Sequence, residues 1–497
     1  MRHVSIEPLR LTRLASLLEP PRGEQLLKRT EVASAMLRGR VVWNVNSTAQ
    51  GGGVAEMLQT LLAYVQGAGV DARWLVLRGD PEFFAITKRL HNVLHGEPGD
   101  GGPLGDAERA HYEAVLADNL IAVCNEVRVG DVVLLHDPQT AGLAEGLAAA
   151  GAHVIWRCHI GRDSSNHLTD LGWSFLEPYL RHAGAFVFSR RVYAPAWIDP
   201  DRLWVIPPSV DPFTAKNEEL GDRVPRVLLH AGLCRGEAID GPPVIFTRRD
   251  GRPETMRRHE GVLADGATPP PIDARLIVQV SRWDRLKDML GVMRGFVAFL
   301  PHAPPDVHLM LVGPDVTGVS DDPEGAQVLA ECIATWRALP DDIQARIRLA
   351  CLPMDDIDEN AVMVNALQRH AYAVVQKSLV EGFGLTVTEA MWKGRPVIAS
   401  AVGGIQDQIV DGRDGLLLPD PYDLATFAAC LRRLVEDPSL AARLGAAGRA
   451  RVRDAFLGDR HLLQYMAMME RLLNAEEPAR EPRPAPRLLA AASTTSR

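Results

Sequence analysis

The chain has 497 residues, 46% hydrophobic and 24% charged, with a formal net charge of -9. That length exceeds what one hydrophobic core usually serves, so two or three domains are expected. The acidic balance excludes a typical nucleic-acid binder, and the lack of an eighteen-residue apolar run excludes a membrane span. The first residues, "MRHVSIEPLRLTRL", lack the apolar core of a secretory signal. The six cysteines are scattered, with neither CxxC nor zinc spacing. A cytoplasmic protein with reduced thiols is the expectation.

Along the chain, short apolar runs alternate with amphipathic helices. "RVVWNVN" (40–46) reads as a buried strand, and the glycine loop after it leads into a helix with Val54, Met57, Leu58, Leu61, Leu62 and Val65 on one face. "ARWLVL", "DVVLLH", "HVIWRCH", "AFVFS" and "LWVIPP" continue the alternation, which implies parallel strands joined by right-handed helical crossovers. From 217 to 271 the rhythm breaks into glycine, proline and charge, as in a linker or irregular insertion. It restarts with "ARLIVQVS", "VHLMLVG", "IRLACLP", "AYAVVQ", "RPVIAS" and "GLLLPD". The expected organisation is an α/β domain over 1–216, the insertion over 217–271, and a second α/β domain over 272–455. A helical segment over 456–475 and a polar, proline-rich, disordered tail over 476–497 complete it. Two doubly wound domains would face each other across a cleft, with ligands at the carboxyl ends of the strands.

Candidate residues sit just after strands. Gly51, Gly52 and Gly53 follow the first strand and open a helix, either as a tight turn or as free N–H groups facing an anion or a sugar. Arg282 and Lys287 follow "LIVQV"; they make either a solvated charged turn or a pair of cations for a diphosphate. In "EGFGLTVTEAMWKG", Glu381 lies beyond the strand "AYAVVQ", and a helix is expected from about Thr386. Its exposed N–H groups and positive dipole end fall where Gly382 and Gly384 let the backbone approach a ligand. Glu389 is either a ligand residue or the second half of a capping box with Thr386. His136 in "LLHDPQ" and His159 in "WRCHIG" end neighbouring strands, in either structural or sugar-binding roles. The acid clusters "SDDPEG" and "DDIDE" read as surface turns, not metal sites.

"SRWDRLK" with "EGFGLTVTEAMWKGRPVIASAVGGIQDQIVDG" resembles the retaining nucleotide-sugar glycosyltransferases of GT-B fold, which carry an Arg-x4-Lys pair and a Glu-x7-Glu motif. "VVWNVNSTAQGGGVAEML", "LLHDPQ", "WRCHI" and "IPPSVDPFTAKN" look like the trehalose glycosyltransferring synthases and trehalose phosphorylases. The resemblance implies two Rossmann-like domains and transfer of a hexose from a nucleoside-diphosphate sugar, most simply trehalose from NDP-glucose and glucose. A phosphorylase, a transferase with another acceptor, and a non-catalytic carbohydrate-binding GT-B protein are the rivals. It further implies that Arg282, Lys287 and the N–H groups near Gly384, Leu385 and Thr386 hold the diphosphate without a metal or other cofactor. Glu389 would take the ribose, Glu381 the donor 3-hydroxyl (or, as a covalent nucleophile, the anomeric carbon), and His159 the donor 6-hydroxyl or the reaction centre. Gly52 and Gly53 would approach the phosphate or the acceptor, Gly403 and Gly404 would close the pocket, and His136, Asp137 and Gln139 would face the acceptor. The partners implied are small molecules; a homodimer is compatible with the sequence, which leaves donor base and acceptor open.

Overall fold

The computed structural model of the chain describes residues 1–49, 53–237, 243–249, 251–316 and 323–474. The tail over 476–497 lies outside them, as do Gly51 and Gly52.

Seven strands form the first sheet: β1 (Arg2–Val4), β2 (Val42–Asn46), β3 (Ala72–Val76), β4 (Val132–His136), β5 (His153–Cys158), β6 (Ala185–Phe188) and β7 (Leu203–Val205). Their spatial order is β1-β3-β2-β4-β5-β6-β7. All pairs are parallel except β1 with β3. β2 and β4 are buried along their whole length, because helices cover both faces of a parallel sheet. That double burial explains why the segments read as continuous apolar runs.

After a two-stranded hairpin, β8 (Ile245–Thr247) with β9 (Pro253–Thr255), the second sheet begins. Its strands are β10 (Arg275–Val280), β11 (Val307–Pro314), β12 (Ile347–Leu352), β13 (Ala373–Gln376), β14 (Val397–Ser400) and β15 (Leu416–Leu418). They are all parallel, in the order β12-β11-β10-β13-β14-β15. Chain order reverses between β10 and β13 here, and between β2 and β4 in the first sheet. Crossovers on the two sides of such a point go to opposite faces, so a crevice opens at the strands' carboxyl ends.

The described residues of the segment over 217–271 pack against the second domain. They contribute the helix Val224–His230, the hairpin, and buried Val227, Leu228, Val244, Phe246 and Met256 to a core shared with the second sheet. Cys351 N–H donates to the Val262 carbonyl at 2.7 Å, and Leu263 bridges Ala350 at the edge of β12.

Two helices end the described chain, Pro438–Ala455 and Gly458–Asn474, the second matching the helical segment expected over 456–475. The second lies on the first sheet's domain: Arg22 pairs with Asp459 at 2.6 Å, and Met468 is buried in a cluster with Val42, Leu58 and Ile155. Arg157 at the end of β5 is 1% exposed and donates to His461 at 3.0 Å, to Tyr465, and to the Ile206 carbonyl at 3.1 Å. The chain thus passes between the domains twice, and the passages are bonded side by side: Val210 N–H donates to the Phe456 carbonyl at 2.9 Å. Among the described residues no helix is long and apolar enough to cross a membrane.

Candidate active site

Lys287 and Glu381 meet at the point where strand order reverses in the second sheet. Lys287 leaves the turn Arg285–Lys287 after β10, Glu381 the loop after β13, and their side chains pair at 2.5 Å. Ser378 Oγ donates to the same carboxylate oxygen at 3.2 Å. Buried neighbours hold the lysine loop. Gln279 Nε2 donates to the Lys287 carbonyl at 2.7 Å while its Oε1 accepts from Lys377 N–H at 3.1 Å. Lys377, fully buried, pairs with Asp288. An ammonium has three donors, so pairing with Glu381 leaves Lys287 with capacity for another anion.

Directly after Glu381 the chain turns through Gly384, at φ 86°, into the helix Leu385–Trp392. L side chains rarely adopt that φ, so glycine is what lets the helix start there. The first N–H groups of any helix lack intrahelical acceptors and carry its positive dipole end. Those of Leu385 and Thr386 therefore stand beside the ion pair. The helix begins one residue before the expected Thr386, with no side-chain cap, and Thr386 Oγ1 donates to Gln376 Oε1 at 3.0 Å. This overturns the capping-box alternative for Glu389.

Glu389 instead lies 3% exposed, with Oε1 at 3.3 Å from Lys216 Nζ and Oε2 buried without a partner. Lys216 comes from the passage between domains and also donates to Glu56 at 3.1 Å, so it joins carboxylates of both domains. Burial pulls its pKa down, but the charges of Glu389 and Glu56 outweigh that and hold it above the usual lysine value. Nearby Lys393 goes the other way, lowered by burial to about 7 despite Glu389. Arg282 stands apart from Lys287: its side chain is 53% exposed and its guanidinium pairs with Asp284 at 3.1 Å.

From the first sheet, His159 at the end of β5 and His136 at the end of β4 stack 5.5 Å apart, with His136 Nδ1 at 3.2 Å from His159 Nε2. His136 is 2% exposed and its other nitrogen meets Asn44 Oδ1 at 3.1 Å. Both its nitrogens are engaged, one of them with His159. Burial, reinforced by Arg157, lowers the pKa of His136 to about 3 and that of His159 well below the ordinary value, so both rings are neutral. Asp137 takes φ 63°, uncommon for a residue with a side chain, and its Oδ1 accepts from His159 N–H at 2.7 Å. Burial raises its carboxyl to about 7 against that bond and Arg157. Gln139 is half-buried on the turn Pro138–Leu143.

The two domains touch around Glu381. A Cβ on Gly53 would lie 2.8 Å from the Leu385 side chain, and one on Gly382 would lie 2.8 Å from the His159 carbonyl oxygen. Tyr193 Oη donates to the Gly382 carbonyl at 2.8 Å. Gly403, at φ 51°, backs onto the Glu381 carbonyl, and its N–H donates to Asp163 at 2.8 Å; Gly404 packs on Phe383. Arg190 pairs with both Asp163 and Asp407.

Sequence reasoning missed Tyr193, Asp163, Lys216 and His95, all remote in the chain from the motifs they serve. His95 follows the helix Pro81–Leu94, which Asp80 caps through Phe83 N–H at 2.8 Å. Its Nδ1 faces the Gly161 carbonyl at 3.2 Å. Burial lowers its pKa to about 4, with Glu381 and Lys287 close enough to act on it in opposite senses. "DDIDE" is also corrected. Asp358 and Glu359 are buried, and the cluster pairs with Arg248, Arg249, Arg257 and His259 of the insertion instead of forming a surface turn. "SDDPEG" falls partly outside the described residues. Among the described residues no cluster of three or more His, Cys, Asp or Glu is arranged to hold a metal.

Residues 44–195 match the family model "Trehalose synthase, N-terminal domain", and residues 359–451 match "Glycosyl transferases group 1". A trehalose synthase of Pyrococcus horikoshii is 32% identical over 90% of this chain and 94% of its own length. One of Rubrobacter xylanophilus is 33% identical over 88% and 92%. The chain belongs to the trehalose synthase family. Its fold is that of the GT-B glycosyltransferases: a crystal structure of an α,α-trehalose 6-phosphate synthase from Burkholderia multivorans superposes over 90% of this chain and 99% of its own, with a TM-score of 0.63 at 15% identity. This family member is accordingly a glycosyltransferase of trehalose metabolism.

Proposed function

We propose that the chain transfers glucose from a nucleoside-diphosphate glucose to the anomeric hydroxyl of free glucose, giving α,α-trehalose with retention. The observation that carries this reading is the Lys287–Glu381 pair at the strand-order reversal, beside the start of the helix Leu385–Trp392 and opposite His159. Breaking the sugar–phosphate bond leaves the electron pair on a β-phosphate oxygen. Fixed cations and N–H dipoles stabilise that charge without reorganising. Lys287 and the Leu385 and Thr386 N–H groups stand where they can do so, and exposed Arg282 swings in as the second cation, so no metal is needed. Glu381 orients the donor sugar through its 3-hydroxyl, and Glu389 accepts from the ribose diol. Neutral His159, aligned by Asp137 and His136, bonds the 6-hydroxyl. The acceptor oxygen attacks the anomeric carbon on the face the diphosphate leaves, and its proton passes to the departing phosphate oxygen. Asp137 and Gln139 belong to the acceptor side, as do the glycines that open the helix Gly53–Gly67.

The test is incubation with UDP-, ADP- and GDP-glucose plus glucose, with the product linkage read by NMR. An α,α-linked disaccharide appearing with stoichiometric nucleotide release is expected. Absence of nucleotide release with every donor would refute the reading. Formation of glucose 1-phosphate from trehalose and phosphate alone would reassign the acceptor.

A further inference from the structure

The parallel sheets are complete without the hairpin β8–β9, yet the hairpin is bolted to the second domain by charge. Arg248 pairs with Asp356 at 2.5 Å, Arg249 with Asp358 at 2.7 Å, and Arg257 with Glu359 and Asp355, each at 2.6 Å. These acids open the helix Ile357–His370, which follows β12. What the hairpin covers is a cavity of about 320 Å³ between the domains, within the range of roughly 300–1,000 Å³ usual for small-molecule sites. Thr247, Arg248, Arg249 and Gly251 form one wall, and Asp358 and Ala361 edge it. Leu385 and Glu389 line it from the helix Leu385–Trp392.

The cavity therefore begins where the diphosphate reading ends. Leu385 starts the helix whose N–H groups face the phosphates, and Glu389 is four residues on, about 6 Å along the axis. Oε2 of Glu389 is buried without a partner; such an oxygen is costly until a donor reaches it. A ribose hydroxyl arriving from the phosphate side supplies one, and the base it carries must then continue toward the hairpin. Guanidinium groups suit that position, since they stack on flat rings and donate to carbonyl edges.

Building on the donor reading above, we propose that the hairpin β8–β9 is the base-selecting wall of the donor site, with the ribose on Glu389 and the base against Arg248 and Arg249. Binding of UDP, ADP, GDP and inorganic pyrophosphate to the full chain, measured by calorimetry alongside glucose transfer, tests this. The wild type should favour one nucleotide. Arg248→Ala with Arg249→Ala should weaken that nucleotide by about tenfold or more, the scale of one charge-assisted contact, and level the ranking of the three. Pyrophosphate binding should not change. Ala361→Phe, which fills the cavity from the opposite side without breaking an ion pair, should do the same if the double variant does not fold. Variants that keep the wild-type ranking, a wild type with no preference, or an equal loss for pyrophosphate would overturn the hairpin assignment. Failure of wild-type transfer with every donor would instead bring down the donor reading beneath it.

Discussion

Replacing Lys287 with Met separates a catalytic cation from a structural one. The pair with Glu381 is 2.5 Å long, with side chains 17% and 12% exposed. At an effective dielectric of about 20, Coulomb attraction at that distance is roughly 6–7 kcal/mol. Most of it is offset by desolvation of both ions, so the pair as a whole adds little, but removing one partner strands the other and costs about 3–5 kcal/mol. Ser378 still bonds Glu381, which favours the lower end. At a urea slope of about 1–3 kcal/mol per M, a loss near 3 kcal/mol moves the unfolding midpoint by roughly 1 M or more. Trp283, buried beside the Arg282 turn, reports it by fluorescence. Turnover should fall about 10²–10³-fold, as for loss of one preorganised donor to a developing oxyanion. The double variant with Glu381→Gln should recover stability, since no buried charge is left alone, while turnover stays low. Near-normal turnover in Lys287→Met, or recovery of activity together with stability in the double variant, would show that the pair only holds two loops.

Glu389→Gln should raise the donor KM by about tenfold or more, the range for a lost hydrogen bond to a charged group, and leave the glucose KM unchanged; an equal rise in both would remove the ribose assignment. Gly384→Ala forces a side chain into φ 86° and within 3.1 Å of Ile405 and 3.2 Å of Glu381 Cγ. A left-handed conformation costs an L residue about 1–2 kcal/mol, so stability should fall by that amount, and the displaced Glu381 should lower kcat, readable in the same urea and transfer assays. Burial holds His136 at a pKa of about 3 and His95 at about 4. Below pH 6.5 the unfolded chain takes up protons that these folded rings refuse, so stability should drop as pH falls from 6.5 toward 4. Asp137, raised by burial to about 7, has the opposite sign: its contribution is present at acid pH and lost as pH rises through 7. Urea midpoints across pH 4 to 8 should therefore fall on the acid side, where several buried histidines outnumber one carboxyl. Asp137→Asn removes that opposing contribution, so the fall in midpoint from pH 7 toward 4 should become steeper.

The legible part of this molecule is what has a local period. β10 and β13 were readable because strands buried on both faces are unbroken apolar runs, and the loops that follow them carry Lys287 and Glu381. The carboxylate in the loop was readable too, since glycines beside an acid mark a close backbone approach. The role of Glu389 was ambiguous for a physical reason: Thr386-x-x-Glu389 is a valid capping box until the helix start is fixed. That start depends on Gly384 adopting a positive φ, which four letters of sequence do not encode. Tyr193, Lys216 and Asp163 lay beyond reach because each acts on a partner far along the chain, with separations of 173 to 240 residues for Lys216–Glu389, Tyr193–Gly382 and Asp163–Gly403.

The same argument explains the misjudged acids. "DDIDE" looks like a solvated turn because its neutralising arginines lie about a hundred residues upstream, in a segment whose glycine and proline content reads as linker. Charge clusters of opposite sign in two such segments carry a joint signal that neither carries alone. Arginine-rich 248–258 and acid-rich 355–359 are complementary, and burying Glu359 at 1% exposure is affordable only with Arg257 and His259 in place. A segment tied down that firmly has a position to keep, and the position it keeps is the edge of the cavity beside Glu389.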